Sequence, residues 1–568
     1  MNPATLSDLT PAHFTDATWE DVAVWYEDLA ARPLDVANAD AWLADWSLLE
    51  SAVTEAASLA MIAYTGDTTD PAKEATQLRF FMEILPRMEE QGVRLADRLL
   101  TLGYRRPGLE ILLRKLEIQR EIFRAANVPL MSESEELCTR YQKITGSITV
   151  DWEGRETTIP ELQPLLKSPD RAIRERAYRA MSKTYVDRHE ALAGIYDELF
   201  DLRTRIASNA GQPDYQAYAF RSKFRFDYTP EDCARFHRAI EAVVVPAVRR
   251  LFERRQRLLG VATLRPWDLG ADLANRPPVR PFRTAEELIE VSSRIFERVS
   301  PAFGREFRVM ASEGLLDLGT RKGKAPGGYC ETLHYRGRPF IFMNAAGVVD
   351  DVSTLLHEAG HAFHTFAAHR QPLVWQRHPG LEMCELASMS MELLAAPYLG
   401  KEEGGFFTRE DLARARVEHL EDILISLAHI ASVDAFQSWI YTSGQGNDAG
   451  ARDQAWLMIR SRFEPDLDWS GLERDRLARW YRQLHIFLYP FYYIEYGIAQ
   501  LGALQVWRNS LVHPEHAVER YREALALGDT RSLPDLYAAA GAELVFEGKL
   551  LEELVALVER HLEAWEAD

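Results

Sequence analysis

A chain of 568 residues with 47% hydrophobic and 27% charged side chains has the length for a deep core and the composition of a folded, water-soluble protein, which excludes a disordered tail, a collagen-like repeat or a disulfide-framed mini-protein. Its 66 basic and 86 acidic side chains leave a formal charge of −20, a field that repels nucleic-acid phosphates and anionic lipid, so neither nucleic acid nor a membrane is an expected partner. Cys138, Cys233, Cys330 and Cys384 show no CxxC spacing, residues 1–16 hold no basic stretch leading into an apolar one, and no apolar run reaches the roughly 18 residues of a membrane span; these features predict a reducing, cytoplasmic setting.

Over residues 18–139 apolar side chains recur at three- and four-residue spacing, most clearly in 42–63 and 108–126, and predict packed helices. Between 148 and 159 the period shortens to two, and Asp151-Trp152-Glu153-Gly154-Arg155 reads as a hairpin that closes an N-terminal helical region over 1–160. Helical patterning resumes over 170–185, 190–209 and 229–259. Pro266, Pro277, Pro278 and Pro281 make 263–283 an ordered loop before a helix from about 284. Glycines cluster between Gly314 and Gly347 around the β-like run Phe340-Ile341-Phe342-Met343, which predicts a small sheet. From Asp350 onward the pattern is helical again, apart from a loop at 443–450 marked by Gly444, Gly446 and Gly450.

The sharpest signal is His357-Glu358-Ala359-Gly360-His361, an HExxH motif inside a helical pattern. Histidines at i and i+4 lie one turn apart on one face, close enough to bind a single zinc ion. Glu358, rotated by one residue, falls beside the metal's open position, where it can take a proton from a water acidified by the metal. Val352, Leu355, Leu356, Ala359, Phe363 and Phe366 supply the opposite, core-facing stripe. The competing reading is a pair of helix histidines packed against carboxylates. Catalytic zinc normally has three protein ligands, and residues 381–394 offer the third. There Met383, Leu386, Met389 and Leu393 bury a helix that also carries Glu382, Glu385 and Glu392, and buried carboxylates are costly unless they coordinate or pair. Glu385 and Glu392 share a face; Glu392 reads either as an ion-pair member or as the partner that orients a histidine.

His357-Glu358-Ala359-Gly360-His361-Ala362-Phe363-His364, followed by Glu385-Leu386-Ala387-Ser388 and Glu392, resembles the M3 family of zinc metallopeptidases, which includes thimet oligopeptidase, oligoendopeptidase F and the Pz-peptidases. The resemblance implies one zinc ion held by His357, His361 and Glu385, with Glu358 as the base and His364 and Glu392 behind the ligands. Gly327-Gly328-Tyr329-Cys330 and Pro339-Phe340-Ile341-Phe342 look like the family's glycine loop and edge strand, to which an extended peptide adds as a further strand; this implies Gly327, Gly328, Tyr329 and Phe342 as substrate contacts, where the plain reading is a hairpin.

His485 and Pro490-Phe491-Tyr492-Tyr493-Ile494-Glu495-Tyr496-Gly497 resemble the family's histidine and tyrosine cluster, in wording closest to the oligoendopeptidase F and Pz-peptidase branch. By pattern alone this is an aromatic core stripe; facing a zinc, such hydroxyls suit a tetrahedral oxyanion. His485, Tyr493 and Tyr496 are then catalytic candidates, and Tyr489 and Tyr492 substrate contacts, with Tyr492 able to replace Tyr493. His485 sits one residue off the spacing of the thimet branch. Asp170-Arg171, Arg174-Glu175, Ala177-Tyr178, Asp214-Tyr215 and Arg225 to Thr229 also resemble family segments and read as structural.

The resemblance thus covers 161–568 as a catalytic region. It implies a mostly α protein whose two helical halves enclose a deep substrate channel, with a small β-sheet beside the zinc helix, and a zinc-dependent oligopeptidase that cuts internal bonds of short or unfolded peptides. A dipeptidyl carboxypeptidase and an inactive peptide-binding protein are the rival readings. His369, His378, His419, His429, His513 and His516 lack partner spacing and read as surface or satisfied core.

Overall fold

The structure, a computed structural model, describes residues 5–567 except 275. Helices dominate it, and they begin and end where local chemistry dictates. Thr229 caps the run that starts with Pro230, accepting a hydrogen bond from the Asp232 amide while Asp232 reciprocates, and Gly260 at φ +64° closes it. Within that run the turn Ile240–Val244 widens into a π-turn just ahead of Pro246, as Phe80–Ile84 does ahead of Pro86. A proline has no N–H for the preceding turn, and the wider turn absorbs the mismatch. The predicted single helix over 229–259 is therefore three consecutive segments.

Among the described residues two large apolar cores and a small cluster of Tyr178, Trp267, Trp469 and Leu472 result. The smaller core gathers side chains from Leu6 to Leu116 together with Leu373, with Trp46 and Tyr26 fully enclosed; the larger joins residues from Ile122 to Leu562. Within the sequence span of the larger core, after Tyr141, lies the hairpin of β1 (Thr149–Trp152) and β2 (Arg155–Thr158), turned by Glu153 and Gly154, both at positive φ, so the smaller core, Leu373 apart, ends well before the hairpin expected to close the N-terminal region. The second sheet is formed by β3 (Leu316–Gly319), β4 (Tyr329–Leu333) and β5 (Arg338–Ala345) in the order β3-β5-β4, with β3 parallel and β4 antiparallel to β5.

That order leaves β4 as an edge strand whose alternation divides its side chains. Tyr329 and Glu331 turn toward the helix Ala39–Gly66, where they meet Thr65 Oγ1 at 2.7 Å and Ser58 Oγ at 2.5 Å. Thr332 turns the other way and bonds Thr365 at 2.9 Å on the helix Val349–Ala368, which carries the HExxH motif. Near the start of β4, a Cβ placed on Gly328 would meet Thr354 at 3.5 Å. β4 and the HExxH helix thus run side by side in the same direction.

The helix Leu381–Ala395 crosses the HExxH helix and is itself covered by Tyr493–Ser510. The longest helix, Arg409–Thr442, is long and apolar enough by composition to cross a membrane, yet Asp434 interrupts its apolar run and 67% of its apolar window is buried inside the protein.

Candidate metal centre

The HExxH helix is anchored at its first turn, where Asp351 Oδ2 accepts the amides of Ala346 at 2.8 Å and Val348 at 2.9 Å and so joins it rigidly to the end of β5. Two turns later His357 and His361 project with ring centroids 5.1 Å apart. Gly360 lies between them in sequence and flanks their face, where a Cβ would stand 2.5 Å from Ser388 Cα and 2.6 Å from Ala387 O. Only glycine permits that approach, and the approach brings Glu385, one turn before Ser388, to the histidines. Glu385 Oε2 lies 3.3 Å from His357 Nε2 and 3.7 Å from His361 Nε2, and one ligand atom from each of the three residues falls within 4.8 Å of the others.

The surroundings fix each donor. His357 Nδ1 pairs with Glu392 Oε1 at 2.8 Å, and His419 Nε2 meets Glu392 Oε2 at 3.0 Å, so one carboxylate spans two imidazoles. A proton on His357 Nδ1 leaves the Nε2 lone pair facing the centre. Ser388 Oγ donates to Glu385 Oε2 at 2.9 Å and Tyr492 OH to Glu385 Oε1 at 2.7 Å. Burial opposes ionisation of Glu385, but the His361 and His357 imidazoles hold it down at about 2; burial likewise opposes Glu392, which His357 and His419 hold at about 2. Burial lowers His361 to about 4 and leaves it neutral. Burial disfavours a charged His357, but Glu385 and Glu392 hold a proton on it, and a cation that displaces that proton would find two imidazoles and one carboxylate converging, a donor set that fits a small divalent ion.

Glu358 lies beside this cluster, buried, and accepts no hydrogen bond from any described residue; burial, reinforced by Glu385 and Glu392 against the pull of His357, raises it to about 7. Its carboxylate is held ready to exchange a proton near neutrality.

Opposite stands the aromatic cluster. His485 is its hub, with ring centroids 5.6 Å from Tyr492, 4.8 Å from Tyr493 and 6.1 Å from both Tyr489 and Tyr496. Tyr496 packs 4.8 Å from Tyr492, and burial and the Glu385 charge raise its hydroxyl pKa, which keeps it a proton donor in hydrogen bonds. Tyr489 stands at the rim, 54% exposed. The loop bearing these rings is held by distant side chains. Arg203 donates to the carbonyls of Ile486 and Phe487, Tyr141 OH to Tyr481 O at 2.9 Å, and Arg225 to Phe491 O, while Gln437 Oε1 accepts the Phe491 amide at 2.8 Å. Phe491 itself sits at φ +63°, a conformation that these bonds impose.

The glycine loop lies along the start of β4. Gly327, at φ +98°, bends the chain there, and Asn344 Nδ2 ties it to β5 through Gly327 O at 3.0 Å. The side chains expected to touch substrate from this region do not face the groove. Tyr329 is engaged with Thr65 and stacks on Phe342, which is 1% exposed; both support the strand, and its contribution to a ligand is its free backbone edge. His364 is buried behind His361, and its Nε2 has no hydrogen-bond partner. Sequence reasoning missed His419, read as a residue without a partner, and Gln483, whose side chain bridges His429 and His485 at 3.1 Å each. His419 meets Glu392 from another helix, and Gln483, although only two residues from His485, joins it to His429 of the helix Arg409–Thr442, a link no local spacing signals.

A helix-borne histidine pair, a glutamate from a crossing helix and a free carboxylate beside them define an HExxH metallopeptidase type of site. The chain belongs to peptidase family M3: the profile described as Peptidase family M3 matches residues 164–556, and that of the Peptidase M3 N-terminal domain matches 11–119. It is similar to Group B oligopeptidase PepB of Streptococcus agalactiae, 24% identical over 69% of this chain, and to an oligoendopeptidase F homologue of Lactococcus lactis, 22% identical over 70% of it. These matches span 66% of the length of either relative. Among solved structures, Pz peptidase A superposes with a TM-score of 0.90 at 28% identity over 99% of both chains, and an oligoendopeptidase F from Bacillus anthracis with 0.84 at 25% over 96% of both.

Proposed function

We propose that this protein is a zinc-dependent oligoendopeptidase that hydrolyses internal bonds of short or unfolded peptides. The observation that carries the proposal is the buried, unbonded carboxylate of Glu358 beside three converging metal donors. His357, His361 and Glu385 would hold the ion, which when bound supplies a Lewis acid that polarises the scissile carbonyl and acidifies the attacking water. Glu358 accepts the proton of that water and returns it to the departing amine nitrogen. Tyr496, Tyr493 and His485 face the same space and suit donation to the developing oxyanion. The free edge of β4 takes the substrate as an added strand. Antiparallel addition, the stronger pairing, sets the peptide's N-terminal part beside Thr332 and its C-terminal part beside Gly328.

The direction of binding also favours internal cleavage over removal of C-terminal dipeptides. Next to Gly328 and Thr354 the groove opens into a cavity of about 440 Å³ whose charged walls are Asp350, Glu392, Glu418 and Asp422, with no lysine or arginine among its lining residues. No lysine or arginine on its wall is placed to receive a free C-terminal carboxylate, although Lys167, behind Asp350 at 3.3 Å and Glu418 at 3.8 Å, offsets part of the acidic charge. The test is mass spectrometry of a ten-residue peptide blocked at both ends and incubated with zinc-loaded protein. Internal cleavage that vanishes in Glu358→Gln is the expected result. Cleavage of the unblocked peptide alone refutes the endopeptidase reading, and undiminished cleavage by Glu358→Gln refutes the mechanism.

A further inference from the structure

Past the second histidine of the motif the groove leads into another cavity, of about 190 Å³, which shares His361, Glu385 and Tyr492 with the metal centre and whose remaining walls the chemistry above leaves unused. Thr332 and His334 form one side, His361 and His364 the second, Arg377 and His378 the third. Apart from Glu385, none of its lining residues is acidic. Arg377 donates to the backbone carbonyls of Gln371, His334 and Pro372 and forms no ion pair with any described residue. Carbonyl oxygens take its donors, and no carboxylate of the described residues pairs with its charge. His364, 5% exposed, has an Nε2 without a partner, and the Nδ1 of His334 is buried in the same condition. Burial, with help from His378 and Arg377, lowers His334 to about 3, so it stands neutral beside the guanidinium. Two buried imidazole nitrogens lack hydrogen-bond partners and the half-buried guanidinium beside them lacks a carboxylate, and a single negatively charged acceptor meets both by taking an imidazole N–H and facing the guanidinium.

The position of the cavity says which part of a ligand enters it. It begins at His361 and Tyr492, beside the metal donors, and lies under the Thr332 end of β4. An antiparallel peptide places there a side chain that precedes the bond to be cut. We propose that this cavity is a specificity pocket for an acidic side chain, glutamate or aspartate, at one of the two residues on the N-terminal side of the scissile bond. The proposal rests on the endopeptidase reading and adds its substrate class. Together with the carboxylate-lined cavity on the other side of the metal, it describes a channel that reads acidic residues before the cut.

Binding tests the pocket without requiring turnover. Zinc-loaded Glu358→Gln protein is titrated with blocked, fluorophore-labelled peptides that carry Glu, Gln or Leu at each of the two positions preceding the expected cut, and anisotropy is read. The Glu peptide is expected to bind at least about tenfold more tightly than the Leu peptide, as charge-assisted hydrogen bonds require, and more tightly than the Gln peptide. In the active chain the ratio of kcat/KM for Glu over Leu should follow the same order and collapse in His364→Leu, which removes a nitrogen that has no partner. His378→Leu, on the outer wall, provides the same reading if His364→Leu does not fold. Equal binding of Glu and Leu, equal binding of Glu and Gln, or an unchanged ratio in the folded variants overturns the pocket. Preference for Glu in binding with no hydrolysis of any peptide keeps the pocket and sinks the endopeptidase reading; hydrolysis without preference does the reverse.

Discussion

Replacing Gly360 by alanine tests whether helix contact sets the metal geometry. On helix propensity alone the change is favourable by about 1 kcal/mol, because alanine loses less backbone freedom. The structure reverses that sign. The new methyl would lie 2.5 Å from Ser388 Cα and 2.6 Å from Ala387 O, against a comfortable separation of roughly 3.5 Å, so the two helices must part by about 1 Å. The obstructing atoms are backbone and cannot swing aside, which puts the overpacking cost toward the upper end of about 1–3 kcal/mol and leaves a net loss of about 1–2 kcal/mol. Glu385 moves with Ser388, and a displacement of about 1 Å at a reacting centre lowers turnover by roughly a hundredfold. Three readouts apply: the apparent Tm, zinc affinity by competition with a chelator, and kcat/KM on a blocked peptide. All three should fall together. An alanine variant that matches the parent in stability, zinc affinity and turnover would show that the helix crossing does not position Glu385.

Glu392→Gln should weaken zinc binding about 10- to 100-fold in the same competition assay, because the neutral amide cannot orient and polarise His357 while also serving His419. Tyr496→Phe should lower kcat by roughly a hundredfold with zinc affinity and KM little changed, the signature of a donor used only in the transition state. Asp268, fully buried, accepts from Arg171 at 2.7 Å and Arg174 at 3.1 Å, so Asp268→Asn strands a buried guanidinium and should destabilise the fold by about 3–5 kcal/mol in urea unfolding. Burial opposes ionisation of Asp268, yet these arginines hold its pKa below the usual aspartate value. Its contribution is thus complete above about pH 4 and is lost as pH falls through the lower folded value, so the gap between parent and variant should narrow only under acid.

The metal centre was legible to the extent that it is local. The i, i+4 spacing of His357 and His361 is a property of any helix, and Glu385 could be singled out with Glu382 and Glu392 because all three sit in a strongly apolar segment. What sequence could not show is which residues come from elsewhere to hold these groups. His419 reaches Glu392 from a helix 27 residues on, and Arg225 reaches Phe491 across 266 residues. Arg409–Thr442 was hard to read for the opposite reason: it is covered on most sides, so it shows no clear polar face. The β-like run over 340–343 does form a strand, but 339–342, expected as the edge strand, belongs to the central strand β5, and the free edge falls to β4; the face each side chain takes depends on a register of one residue, and Tyr329 and Phe342 fell on the inner side.

The carbonyls clamped by Arg203, Tyr141 and Arg225 separate two properties that are usually measured as one. All three metal donors belong to helices between Val349 and Ala395, whereas the loop that carries His485 and leads into the tyrosines is braced by side chains from residues 141–225. On the function proposed above, damage to those braces would disorganise the side that faces the oxyanion and leave the proposed ligands of the ion in place. A preparation can therefore be stoichiometrically loaded and still inert, and metal content is no measure of how many molecules in it can work.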